Sequence, residues 1–306
     1  MKKVLILMVV VCLSLINYGI VVYAEDTPVS ISAEELCQAG KDAEAAGDYD
    51  KAMEYYQQAA DQNDAEALWS IGSLHYYGYG MAQSYAKALE YFQKAAELGH
   101  IRALNSIGFM YLQSEGVGQD YDKALEFIQR AAEQGEMHAQ CNLGYMYLNS
   151  LGVEQDDDKA YEYYQLSADQ GDAKSQCFVA YLYDVGQIVE QDYEKALKYY
   201  QLSADQGYAL AINNLGNMYE LGNGVDQSYE KAMEYYQLAA DQGNAIAFIG
   251  IGDLYRGGLG VEQSYERAAE NYRKAAELGI EVAVGYLKEL VEDGHISEEY
   301  LDGLEE

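Results

Sequence analysis

The chain has 306 residues, half of them hydrophobic, and its 51 acidic against 19 basic side chains give a formal net charge of −32. Nucleic acids and anionic lipid surfaces both recruit proteins through clustered lysine and arginine, so this composition excludes either as a partner. The acidic excess keeps the protein soluble and favours basic partners or cations.

Residues 1–24 read as an export signal. Lys2 and Lys3 form a basic start, Val4 to Leu15 is an apolar run, and Val22-Tyr23-Ala24 offers small residues for cleavage. The alternative is an uncleaved anchor, because residues 4–23 are about long enough to span a bilayer. Asn17 and Gly19 interrupt the run and favour cleavage after Ala24. Cys12 follows Val11 rather than a small residue and does not read as a lipid attachment site. The expectation is an exported protein, periplasmic or extracellular, with no membrane insertion beyond the signal segment.

Residues 25–31 form a linker that holds the only proline, Pro28. Ile31 to Gly47 carries one helix, and with its successor it makes an N-terminal helix pair over 32–63. Gly40 precedes Ala52 by 12 residues, whereas Gly108 precedes Ala124 by 16, so this entry pair has a shorter connector.

From there the chain repeats every 36 residues without insertion or deletion, as DYDKAMEYY at Asp48, SYAKALEYF at Ser84 and DYDKALEFI at Asp120 illustrate. A period of this length means stacked supersecondary units, none of which buries its apolar face alone. Each copy reads as two helices. In Ser84 to Gln119, Ser84 caps the first, and Asp and Ser interchange at this slot as N-caps do. Ala88, Phe92, Ala95 and Ala96 form one apolar stripe, and Gly99 closes the helix. The second helix starts near Ile101, with Ala103, Ile107, Met110 and Tyr111 as its stripe. Gly108 inside it costs about 1 kcal/mol against Ala, and glycine recurs there at 72, 144, 216 and 252. Close approach of a neighbouring helix backbone is the expected offset. Val117, Val153, Val189, Val225 and Val261 plug the connectors. The tyrosine pairs, such as Tyr55-Tyr56 and Tyr199-Tyr200, are expected to bury their rings and keep their hydroxyls in water. No segment alternates with the period of a strand. Residues 280–306 are degenerate capping helices, ending in an acidic cap from Ser297 to Glu306.

Cys141 and Cys177 occupy one slot in adjacent copies, and stacked helices place such residues about 8–10 Å apart. A disulfide needs α-carbons within about 7 Å, so no disulfide is expected, and Cys37, Cys141 and Cys177 read as packing residues.

Ala211, Leu215-Gly216, Tyr219, Gly222-Asn223-Gly224-Val225, Lys231-Ala232, Tyr235-Tyr236, Ala239-Ala240 and Gly243 resemble the Sel1-like repeat, a relative of the tetratricopeptide repeat. The resemblance covers about 64–279 in six copies, and the entry pair looks more like a plain tetratricopeptide unit. It implies an all-α fold, a right-handed α/α superhelix of about seven helix pairs. It also implies an adaptor or scaffold that binds other proteins. One secreted branch of the family has a disulfide in each repeat and is linked to β-lactam binding or hydrolysis. The paired cysteines of that branch are missing here.

No catalytic set, metal site or cofactor motif emerges. Ser84-Tyr85-Ala86-Lys87 and Ser228-Tyr229-Glu230-Lys231 match the S-x-x-K motif of penicillin-recognising enzymes, but no S-D-N or K-T-G partner exists. The serine fills a helix-cap slot that Asp takes in other copies. His75, His100, His138 and His295 occupy unrelated repeat positions, and no zinc or calcium pattern occurs.

A partner surface can be sought where the copies differ. In tetratricopeptide-like solenoids the second helix lines the concave groove, an assignment that comes from the resemblance. One varied slot holds Trp69, Asn105, Cys141, Cys177, Asn213 and Ile249, and the next includes Phe109, Tyr145, Tyr181 and Asn217. A third begins at Tyr76 and ends at Arg256. Aromatics, amides and arginine anchor peptides in pockets. Trp69, Tyr76, Asn105, Phe109, Tyr145, Tyr181, Asn213, Asn217 and Arg256 are therefore the candidate contacts for a protein or peptide partner, a basic one fitting the charge best. A cell-wall or β-lactam-acting hydrolase is the alternative function.

Overall fold

The computed structural model describes residues 31–304, so the signal segment, Cys12 and most of the linker lie outside the described residues. Among the described residues there are fifteen α-helices, one closing 3-10 turn at Glu298–Leu301, and no strand. The odd-numbered helices are α1 (Ala33–Ala45), α3 (Ala65–Tyr77), α5 (Ile101–Gln113), α7 (Met137–Leu148), α9 (Ala173–Val185), α11 (Ala209–Leu221) and α13 (Ala245–Gly257). The even-numbered ones are α2 (Tyr49–Ala60), α4 (Tyr85–Glu97), α6 (Tyr121–Ala132), α8 (Asp157–Asp169), α10 (Tyr193–Ala204), α12 (Tyr229–Asp241) and α14 (Tyr265–Glu277), and α15 (Glu281–Glu292) closes the stack. Each helix packs on its neighbours in sequence, which makes an all-α solenoid. No helix of the described residues is long and apolar enough to cross a membrane.

The tightest association is between each odd-numbered helix and the even-numbered helix after it. The structural unit therefore starts at the odd-numbered helix, half a copy out of register with a frame that begins at the Ser or Asp cap. The internal glycines set this pairing. A Cβ on Gly72 would lie 2.6 Å from the Phe92 ring, and one on Gly252 would lie 2.5 Å from the Tyr272 ring. Gly108 meets Ile128 and the Ala124 carbonyl in the same way. What offsets the cost of glycine is thus a large side chain of the partner helix, with a backbone carbonyl behind it. Tyr56, Tyr200, Tyr236 and Tyr272 are fully buried in this slot, as Ile128 is.

These tyrosines depart from the expectation of hydrated hydroxyls. Burial in a close-packed seam leaves no route to water, so each hydroxyl needs a protein acceptor. Tyr56 donates to Glu44 at 2.7 Å, and Tyr272 to Asp253 at 2.6 Å. Tyr236 is shared between Asn217 and Glu220, both at 2.5 Å. The other tyrosine of each pair behaves differently. Tyr163, Tyr199 and Tyr235 stack on Tyr147, Tyr183 and Tyr219 of the odd-numbered helices, with centroids 5.4–6.3 Å apart.

The recurring polar slots finish the helix ends. The Asp or Ser cap accepts from the backbone N–H three residues on, as Asp120 does from Lys123 at 3.0 Å. Lys159, Lys195 and Lys231 lie 4.8–5.0 Å from the ring centres of Tyr147, Tyr183 and Tyr219. The connector glutamines donate to last-turn carbonyls, for example Gln83 to Tyr76 and Gln227 to Glu220, both at 2.8 Å. Those carbonyls would otherwise lack partners. The glycine slot after each even-numbered helix has positive φ throughout, from 81° to 104°, and Asn63 takes 63° in the same slot. The connector valines are half-buried, as plugs should be.

The ends are sealed differently. Ser32 and Glu35 form a reciprocal capping box at the start of α1. At the other end Arg273 donates to the carbonyls of Glu299, Tyr300 and Asp302, tying the acidic tail across the last core.

Gly252→Ala would normally stabilise a helix, but here the added methyl strikes Tyr272. A loss of about 1–3 kcal/mol in urea denaturation is expected. Ala180 occupies the same column and already carries a methyl, which is buried, so Ala180→Gly should lose about 1 kcal/mol from helix propensity and more from the lost packing.

Candidate partner-binding groove

Successive odd-numbered helices touch one another at α1–α3, α5–α7 and α11–α13, and no successive even-numbered helices touch to the same extent. The odd-numbered helices therefore form the more closely spaced, inner side of the stack, and every candidate contact residue lies on one of them.

Four of the candidates come together. Trp69, Tyr76, Asn105 and Phe109 line one cleft of about 500 Å³ across α3 and α5. The Trp69 indole N–H donates to Ser106 Oγ at 3.0 Å, and Asn142 donates to Asn105 at 2.9 Å. Both bonds join a varied slot to a residue 37 positions on, across the junction between units. Tyr76 donates to Glu115 and meets Tyr77 and Tyr85 edge-on. Tyr77, 60% exposed, stacks on Tyr79 at 5.3 Å, and Tyr79 stacks on Tyr49 at 5.2 Å. An aromatic ladder thus runs out of the cleft onto the surface.

The remaining candidates are spread along the lane. Tyr145 is half-buried under the Lys174 ammonium, 5.4 Å from its ring centre, and Tyr181 is 43% exposed. Asn213 and Asn217 line a smaller pocket of about 210 Å³, far along the stack. Arg256 is paired with Glu289 at 3.2 Å.

Glu66, Arg102, His138 and Lys174 share a slot one turn before the Trp69 slot, and the varied lanes above did not include it. Arg102 lies over the Trp69 ring at 4.3 Å while bonding Glu66 at 2.6 Å. Lys41 and His100 reach the same carboxylate at 2.8 and 2.9 Å. The His100 hydrogen bond, aided by Lys41 and Arg102 against the opposing effect of burial, holds the Glu66 carboxyl well below the usual range. The Asp172 hydrogen bond raises the pKa of His138, whose burial works against the rise. The signal in sequence was a run of basic residues at one slot of a very acidic chain. Tyr77 and Tyr79 were also missed, although they mark a connector where Met81 replaces the usual valine.

The S-x-x-K serines act as caps. Ser84 Oγ accepts from the Lys87 backbone N–H at 3.4 Å, and Ser228 Oγ accepts from that of Lys231 at 3.3 Å. The Lys231 ammonium lies over the Tyr219 ring instead of facing the serine. Cys37, Cys141 and Cys177 are buried free thiols, and burial raises their pKa to about 11, 11 and 12. A thiol so far from ionisation at neutral pH is a poor nucleophile. Among the described residues no group of acidic, histidine or cysteine side chains is arranged to hold a metal.

The Sel1 repeat pattern matches residues 33–64, 65–100, 101–136, 138–172, 173–208, 209–244 and 245–280. The chain belongs to the Sel1 repeat family. The matched units begin at the odd-numbered helices, in the frame that the packing defines, and they include the entry pair. A Sel1 repeat protein from Oxalobacter formigenes is 29% identical with a TM-score of 0.70, covering 79% of this chain and 99% of that one. The protein c5321, a protective antigen of uropathogenic Escherichia coli strains with an SLR fold, is 31% identical with a TM-score of 0.66. That match covers 86% of this chain but only 57% of the antigen's length. Comparison with curated protein sequences finds no match. Sel1 repeat solenoids are typically protein–protein interaction scaffolds without enzymatic activity.

Glu66→Gln should lower stability by about 1–2 kcal/mol at neutral pH. Because the folded-state pKa is depressed, the wild-type advantage is present above the ordinary glutamate value of about 4.3 and shrinks as pH falls below it. Urea midpoints measured against pH check this sign. Ser84→Ala should lose about 1 kcal/mol, whereas Ser84→Asp, which restores the cap of other copies, should be close to neutral.

Proposed function

We propose that this protein is an exported, non-enzymatic scaffold that holds a protein or peptide segment along the inner face of its odd-numbered helices. The observation that carries the reading is the cleft across α3 and α5. There, aromatic side chains, amides and an arginine converge in slots that the repeat itself leaves free to vary. Large, rigid aromatics in concave settings are the usual anchors of protein interfaces. The exposed Tyr77 and Tyr79 extend the apolar surface beyond the cleft. Export rests on the character of residues 1–24, and the acidic surface favours partners of positive charge.

Replacing Phe109 with a photo-crosslinking amino acid, and separately Leu202 on the outer helix α10, tests the face. The Phe109 site should capture a partner from the native envelope or secretome, and Trp69→Ala/Phe109→Ala/Tyr145→Ala should abolish retention of that same partner. Equal capture from Leu202, or retention by the triple variant, would place the interaction elsewhere.

A further inference from the structure

In the first copies, the slot of Trp69 and Asn105 hydrogen-bonds to the residue 37 positions on, Ser106 and Asn142 respectively. The corresponding residue for Asn213 is Gly250, which has no side chain to offer. Asn213 is 2% exposed, and its Oδ1 has no hydrogen-bond partner. A buried acceptor left unmade costs about 1–3 kcal/mol. The same glycine helps to open the pocket of about 210 Å³ that Asn213 lines, together with Glu220 and Asp253. The Tyr236 hydroxyl donates to Glu220 Oε2, and the Tyr272 hydroxyl to Asp253 Oδ1. Each carboxylate is thereby oriented with a second oxygen to spare. Leu221 and Ile246, 65% and 47% exposed, and Ile249 supply apolar walls.

We propose that this pocket between α11 and α13 takes a lysine side chain of the bound segment, its ammonium held by Glu220, Asp253 and Asn213 Oδ1. An ammonium has three donors and no acceptor, which matches two carboxylates and the Asn213 carbonyl oxygen, whose amide nitrogen already donates to Asn214 at 3.3 Å. The aliphatic stem covers Leu221, Ile246 and Ile249, as lysine stems do on apolar surface. Arginine presents a planar fork suited to one carboxylate, and a calcium ion needs six to eight oxygens, so both fit less well. Burial raises the pKa of Asp253, a cost that a bound cation relieves. Arg256, the cation nearest in sequence, is paired with Glu289, and its charge only partly offsets the effect of burial on Asp253. This inference deepens the groove reading and rests on it only for which face the segment follows.

The test is a titration of the ¹⁵N-labelled full chain with the peptide acetyl-Gly-Gly-Lys-Gly-Gly-amide, followed by NMR at about 0.15 M salt, where long-range attraction is screened beyond about 8 Å. Saturable shifts confined to the Asn213 and Asn217 side-chain amides and the backbone of 246–253 are expected. The norleucine and acetyl-lysine peptides should give none, and the arginine peptide should bind more weakly. Glu220→Gln keeps an acceptor for Tyr236, and Asn213→Leu fills the same space. Each should weaken lysine binding about tenfold or more while leaving the rest of the spectrum in place. Shifts that spread over the acidic faces without saturating, or an unchanged response in Glu220→Gln, would overturn the assignment. If the peptide fails here while the Trp69/Phe109/Tyr145 variant still loses its partner, the lysine pocket falls and the groove stands.

Discussion

The structure depends on one steric relation repeated along its length. A large side chain of the outer helix lies against a place on the inner helix where almost no side chain exists. Tyr272 on Gly252, Tyr236 on Gly216 and Phe92 on Gly72 are the same contact in different copies. Filling the glycine would push the helices apart, and shrinking the ring would leave a void. Because no single unit buries its apolar stripe alone, an error at one seam is felt by the units on both sides.

That relation has a chemical consequence on the inner face. The phenols of Tyr56, Tyr236 and Tyr272, buried in the seam, give their protons to acceptors on the inner helix. Glu44, Asn217, Glu220 and Asp253 are the acceptors. Packing and the chemistry of the inner face are therefore not independent here. The acids that satisfy the tyrosines also line the lane where a partner would lie. Where the slot holds Phe92 or Ile128 no such acceptor is needed, and the neighbouring inner face is built from Trp69, Phe109 and amides.

The elements were legible in the sequence because their signals are local. Ser and Asp interchange only where a backbone N–H needs an acceptor, glycine and Asn63 share a slot only where φ is positive, and the 36-residue period defines the stack. The fate of the tyrosine hydroxyls was not legible, since it depends on which side of the helix pair is tightest. The Glu66 cluster draws Lys41, His100 and Arg102 from three different helix pairs or their junctions, and their spacing carries no motif.

By itself the sequence determined the all-α solenoid, the helix ends, the strong negative charge and the set of variable slots. These follow from backbone geometry, periodicity and net charge, which act between residues near in the chain or on the chain as a whole. Only the tertiary structure decided which helices pair, which variable residues meet in one cleft, and which buried oxygen is left without a donor. Asn105 and Asn213 are the same amino acid in the same slot, yet one is satisfied by Asn142 and the other faces Gly250. That difference arises between residues brought together by stacking, 37 positions apart, where the chemistry of one side chain depends on what its neighbour lacks.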